Sequence, residues 1–140
     1  MSIWKKQATP AQFNAFSENT LVSHLDIKIT EIGDDYIKGT MPVKDFTRQP
    51  MGYLHGGASV VLAETLGSIA GHLVVGDEKN CFGVEINANH LRSVKEGMVT
   101  ATVRPIRIGS TLHVWDIQIT DERDELICVS RLTLAVKDFR

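Results

Sequence analysis

The chain has 140 residues, 43% of them hydrophobic and 23% charged, which suits one domain with a real core spanning residues 1–140. A formal net charge of −2 gives no general attraction to nucleic acid or to an anionic membrane, so neither is expected as a partner. No charged-then-apolar leader opens the sequence, and Cys81 and Cys128 show no CxxC spacing; reduced thiols and a cytoplasmic setting are expected.

Thr9-Pro10-Ala11-Gln12 opens a short helix, with Thr9 as cap, Pro10 in the first turn and Gln12 completing a capping box. Phe13 and Phe16 give it an apolar edge, and it is expected to end near Asn19. Residues 25–30 alternate apolar and polar, Gly33-Asp34-Asp35 turns, and Tyr36 to Val43 returns as the second strand of a hairpin. A loop from Lys44 to Leu54 follows. From about Gly57 one long helix runs to Gly76-Asp77, with apolar or small residues on nearly every side, so burial all round is expected. Its acid, glycines and serines argue against a membrane span.

Cys81 to Leu91 reads as a strand with Val84, Ile86 and Ala88 on one side and Glu85, Asn87 and Asn89 on the other. Met98 to Ile108, Thr111 to Thr120 and Leu126 to Val136 complete the set, joined by short turns. One apolar helix and a mainly antiparallel sheet of these strands bury each other in an α+β fold.

Glu64 is the single acid in the long helix, and a carboxylate there must be neutralised, paired or employed. It suits a nucleophile or general base, and Ser68, one turn on, can position it or a water. Gly56 and Gly57 leave backbone N–H groups free at a helix N-terminus, where a developing oxyanion is stabilised; taken alone, such glycines more often serve only a tight entry turn. Gln49 in the preceding loop can donate to a carbonyl oxygen, and His55 can donate, bind substrate or shape the turn. Gly56 and Glu64 are eight residues apart, ~12 Å along one helix, too far to grip one carbonyl together. Two antiparallel copies of the helix about a two-fold axis solve this, with Gly56 and Gln49 from one chain and Glu64 and Ser68 from the other. A basic cluster, His90 and Arg92 on one strand face with Ser93, and Arg107 before the Gly109-Ser110 turn, can together hold a phosphorylated carrier; singly these are ordinary strand-end charges.

The run Gln49-Pro50-Met51-Gly52-Tyr53-Leu54-His55-Gly56-Gly57-Ala58-Ser59-Val60-Val61-Leu62-Ala63-Glu64, with Gly83 to Ser93 later, resembles the hotdog-fold acyl-CoA thioesterases of the PaaI-like group. It is similar in particular to the 4-hydroxybenzoyl-CoA and 1,4-dihydroxy-2-naphthoyl-CoA thioesterase types. The resemblance implies a long central helix wrapped by a curved antiparallel sheet, paired through a continuous sheet into a dimer, and a homotetramer made as a dimer of dimers. It implies hydrolysis of an acyl-CoA, with acyl carrier protein thioesters as a second substrate class, and no cofactor or metal, coenzyme A being part of the substrate. Glu64 matches the catalytic carboxylate; Gln49 and Gly56 N–H match the carbonyl-polarising groups; His55 precedes that glycine, and Ser68 stands where threonine is common. Gly83, His90, Leu91, Arg92 and Ser93, with Arg107, Ile108, Gly109, Ser110, Thr111 and Leu112, fall where relatives contact coenzyme A.

Two rivals remain at this stage. A hotdog dehydratase or hydratase would pair His55 with Glu64, but nine residues at 100° put them on opposite sides of one helix. A non-catalytic acyl-CoA-binding module would need a partner or DNA-binding region. Met51, Tyr53, Val60, Val61 and Phe82 are candidates for an apolar acyl pocket, and an aryl or hydroxyaryl group is favoured on the resemblance.

Overall fold

The computed structural model describes residues 1–138. Its elements run α1 (Pro10–Phe16), α2 (Leu21–His24), β1 (Lys28–Ile32), β2 (Ile37–Pro42), a single 3-10 turn at Asp45–Thr47, α3 (Gly56–Val74), β3 (Lys79–His90), β4 (Met98–Ile108), β5 (Leu112–Thr120) and β6 (Leu126–Asp138). The six strands form one antiparallel sheet in the order β1-β2-β4-β5-β6-β3, so β1 and β3 are its edges. α3 lies across it, which is the hotdog arrangement the resemblance implies.

The core follows from alternation on the central strands. Val99, Ala101 and Val103 of β4 and Trp115, Ile117 and Ile119 of β5 are fully buried, and Leu62, Leu66 and Ala70 of α3 meet them from above. Each such leucine contributes about 2 kcal/mol by leaving water. Small residues let the helix approach closely: a Cβ on Gly67 would meet Leu132 at 2.5 Å, and one on Gly71 would meet Leu134 at 2.3 Å. Among the described residues α3 is the one helix long and apolar enough to cross a membrane, but its inner face is packed on the sheet.

Several expectations need correction. α1 stops at Phe16, because Ser17 turns its hydroxyl and N–H back onto the helix and Asn19 takes φ 63°. A separate helix, α2, then starts on the Thr20–Ser23 capping box, which the sequence reading passed over. The alternation from Leu25 is genuine burial, but Leu25 ends α2, Asp26 turns at φ 55°, and pairing begins only at Lys28. α3 is not buried all round: Ala58, Leu62, Leu66 and Ala70 face the sheet, whereas Val61, Glu64, Thr65 and Ser68 are half-buried and His72 is exposed. In β3 a bulge between Gly83 and Glu85 leaves Val84 without a partner, 59% exposed, so Val84 does not share a face with Ile86 and Ala88. On β5 the inward set begins with His113, 1% exposed, while Leu112 and Val114 face out.

Candidate active site

The loop into α3 is fixed by its backbone. The Arg48–Leu54 bridge closes it, Gly52 takes φ 92°, Leu54 N–H donates to Val94 O and His55 N–H to Thr47 O. Thr47, 1% exposed, donates its hydroxyl to Pro42 O, and the Arg48 guanidinium holds Val43 O and Lys95 O. Within this frame the Gln49 Oε1 accepts from Met51 N–H, and its amide NH₂ has no partner among the described residues and can donate into the cleft it lines.

The first turn of α3 separates its two glycines. His55 is the N-cap, and its Nδ1 accepts from Gly57 N–H at 2.8 Å. Ala58 and Ser59 N–H both donate to His55 O. Gly56 N–H is then the first-turn donor with no protein partner among the described residues. His55 is thereby committed as a cap through Nδ1, with Nε2 carrying the ring proton.

A cleft of about 370 Å³ opens at this point, with Gln49, Tyr53 and Gly56 on one side and His90, Leu91, Arg92 and Ser93 on the other. His90 reaches it because regular alternation beyond the β3 bulge carries it, with Ile86 and Ala88, onto the helix-facing side. Its imidazole packs on Gly56: a Cβ there would meet Nε2 at 2.8 Å. Arg92 does not share a strand face with His90, since β3 ends at His90; its Nη1 lies 2.7 Å from Glu125 Oε2 as a charge pair.

Glu64 and Ser68 lie elsewhere. They line a second, more apolar cleft of about 560 Å³ between the open face of α3 and the α1–α2 segment, whose Phe13, Phe16, Leu21 and Val22 form the opposite wall. The Glu64 carboxylate makes no hydrogen bond among the described residues, and its Oε2 faces Gly83 so closely that a Cβ there would stand 2.6 Å away. Gly83 thus borders the acid, not the His90 cluster. Phe13 and Phe16 were legible as an apolar helix edge, though not as neighbours of Glu64, and Leu21 and Val22 were missed with α2; the signal in the fold is exposure, 87% for Phe16 and 57% for Leu21. Of the residues considered for an acyl pocket, Val61 lines this cleft and Tyr53 the other, while Met51 is 78% exposed.

The remaining basic segment is distant. Ser110 and Thr111 share a cleft with Lys79, Asn80, Phe82 and Lys137 at the start of β3. Phe82 and His90 are eight strand residues apart, some 26 Å, so within one chain the His90–Ser93 and Arg107–Leu112 groups do not together enclose one carrier. Gly109 shapes its turn by donating to Leu112 O, and Arg107 and Ile108 are exposed.

A family model described as the thioesterase superfamily matches residues 51–128. The chain is 51% identical over 134 residues to 1,4-dihydroxy-2-naphthoyl-CoA hydrolase of Escherichia coli, covering 96% of this chain and 98% of that protein. It is 48% identical over 134 residues to the proofreading thioesterase EntH of Cronobacter turicensis, with coverage of 96% and 98%. The crystal structure of thioesterase HI1161 from Haemophilus influenzae superposes with a TM-score of 0.95 at 51% identity, covering 97% of this chain and 95% of that one.

Proposed function

This chain belongs to the thioesterase superfamily and is a thioester hydrolase of the acyl-CoA class, and from that premise we propose that it hydrolyses aryl- and hydroxyaryl-CoA thioesters, in the cytoplasm and without a cofactor, at a site shared by two chains. The observation that carries this reading is the separation of the two half-sites: the unpartnered Gly56 N–H and Gln49 amide face one cleft, and Glu64 and Ser68 face another.

A two-fold axis across α3 near Val60 sets the Gly56 end of one helix beside Glu64 of its partner. The edge strand supports the same axis. Within one chain Gly56 packs on His90 and Glu64 on Gly83, so pairing Gly56 with a partner's Glu64 also sets His90 beside a partner's Gly83. That register centres an antiparallel β3–β3 contact on Ile86 and Asn87. β3 is a 12-residue edge with Phe82 and Val84 exposed, the kind of edge another strand covers. The same pairing moves the Lys79–Phe82 end of one chain toward the His90 end of the other, reuniting the two proposed coenzyme A segments. Two such dimers would form the tetramer.

In the reaction, Gly56 N–H and the Gln49 amide hold the thioester oxygen and stabilise the charge it gains. The partner's carboxylate either attacks the carbonyl carbon, expelling the thiolate and leaving a mixed anhydride for water to open, or takes a proton from the attacking water; Ser68 orients the acid or that water. His55, by capping Gly57, keeps Gly56 as the free donor. The apolar wall of Phe13, Phe16, Leu21 and Val22 beside Glu64 supports an aromatic acyl group.

Free-thiol release from benzoyl-CoA, 4-hydroxybenzoyl-CoA and short and long aliphatic acyl-CoA tests this reading, with wild type beside Glu64→Ala at equal folded content. Turnover of the aryl thioesters that collapses in the variant is expected. Equal rates in both proteins, or turnover confined to aliphatic substrates, would overturn it.

A further inference from the structure

His72 has no part in the hydrolysis described above, yet it lines the same cleft as Glu64 and Ser68. The three stand at four-residue intervals on α3, so they form one row along the open face of the helix. Glu64 is at one end, Ser68 in the middle and His72 at the other. The row is polar; the walls beside it, Phe13, Phe16, Val61 and Ile69, are apolar. We propose that His72 is a specificity-determining residue that hydrogen-bonds a ring hydroxyl at the far end of the acyl group. This rests on the reading of the Glu64 cleft as the acyl site.

The distances fit such a group. Side chains on a helix tilt the same way, so the tips keep about the spacing of their Cα atoms. From Glu64 to His72 that is ~12 Å along the axis. Removing ~3 Å for attack on a carbonyl carbon and ~2.8 Å for a hydrogen bond at the far end leaves about 6 Å. A carbonyl carbon, one aromatic ring and an oxygen opposite it fill that length.

The electrostatics select a hydroxyl. Burial lowers the His72 pKa from 6.5, the positive charge of Lys6 lowers it further, and Asp77 opposes with a smaller effect. The neutral imidazole that results at pH 7 can accept from a phenol O–H or donate to its oxygen. His72 also borders an adjoining cavity where Lys6, Gln7 and Gln12 stand beside the apolar Ala8, Phe13, Phe16 and Leu73. The segment carrying Lys6 is anchored there, since Lys5 and Lys6 N–H both donate to Leu73 O. His72 thus places a polar group at the end of a cleft with apolar walls, beside a segment that is held in place.

The test compares kcat/KM for 4-hydroxybenzoyl-CoA and benzoyl-CoA in wild type, His72→Phe and His72→Gln. His72 is exposed in the protomer, so neither change should prevent folding. Wild type is expected to prefer the hydroxylated substrate. His72→Phe should cut that preference roughly fivefold to tenfold, the scale of one hydrogen bond in a partly open cleft, with little change toward benzoyl-CoA. His72→Gln should recover part of it. An unchanged ratio, or an equal fall on both substrates, would overturn the role of His72 while leaving the aryl-thioesterase reading intact. No thiol release by wild type from either aryl substrate would overturn that reading and this inference with it.

Discussion

At the start of α3 the groups facing the Gln49–Gly56 cleft are fixed by backbone bonds within one chain: His55 caps Gly57, Thr47 O takes His55 N–H, and Gln49 is bonded to Met51. Two turns along, Glu64 stands on a half-open face with no hydrogen-bond partner among the described residues and a wall of apolar side chains from α1 and α2. The first region is specified by main chain and tolerates little change of shape. The second is specified by one carboxylate and by side chains that can be exchanged without disturbing the sheet. On the proposed mechanism, polarisation of the carbonyl belongs to the rigid half and choice of acyl group to the adaptable one.

That contrast is easiest to break at Glu64. Glu64→Gln keeps the shape and removes the base or nucleophile, and kcat should fall by about 10²–10⁴-fold with the melting temperature little changed. Retained turnover would show that the second cleft only binds. Gly56→Ala tests the rigid half. The added methyl meets His90 Nε2 at 2.8 Å, and displacement of the donor should lower kcat by about 10²–10³-fold; rates within twofold of wild type would place oxyanion stabilisation elsewhere. Phe13→Ala with Phe16→Ala probes the adaptable half. Roughly a fivefold rise in KM for benzoyl-CoA is expected from lost apolar contact, with no change for acetyl-CoA; an equal rise for both would make α1 a structural support only.

The smallest effect concerns the core beneath both regions. His113 is 1% exposed, and burial lowers its pKa from 6.5. The unfolded chain therefore takes up a proton that the folded chain refuses, and stability should decline as pH falls below about 6.5. His113→Phe should flatten that slope in thermal melts between pH 5 and pH 7. A slope equal to wild type would remove His113 as its source.

Local signals made much of this legible in the sequence. The Thr9–Gln12 capping box forms as expected, and the runs read as strands at Met98 to Ile108 and Thr111 to Thr120 are β4 and β5, because each depends on residues a few positions apart. Glu64 and Gly56 stood out as an acid and a turn glycine in an apolar run. What sequence could not show was long-range. Phe13 meets the Glu64 cleft only because α1 packs on β1, across the cleft from the open face of α3. The choice of Gly56 over Gly57 depends on which N–H the His55 ring takes. The bulge at Val84 reversed the phase that alternation assigns to the residues before it, so that Gly83 and not Val84 faces Glu64. The outward row of α3 was read as core because apolar and small residues on an open helix face look the same in sequence as those packed on a sheet.

A complementation experiment addresses the shared site most directly. Glu64→Ala and Gln49→Ala are each nearly inactive on an aryl-CoA; the two are mixed, dissociated and allowed to reassemble. In a mixed dimer one site receives Gln49 from one chain and Glu64 from the other, so activity should rise well above either parent, toward about a quarter of wild type for random two-fold pairing. If the mixture shows only the average of its parents, although subunit exchange is verified, each site lies within a single chain and the two-fold arrangement is wrong.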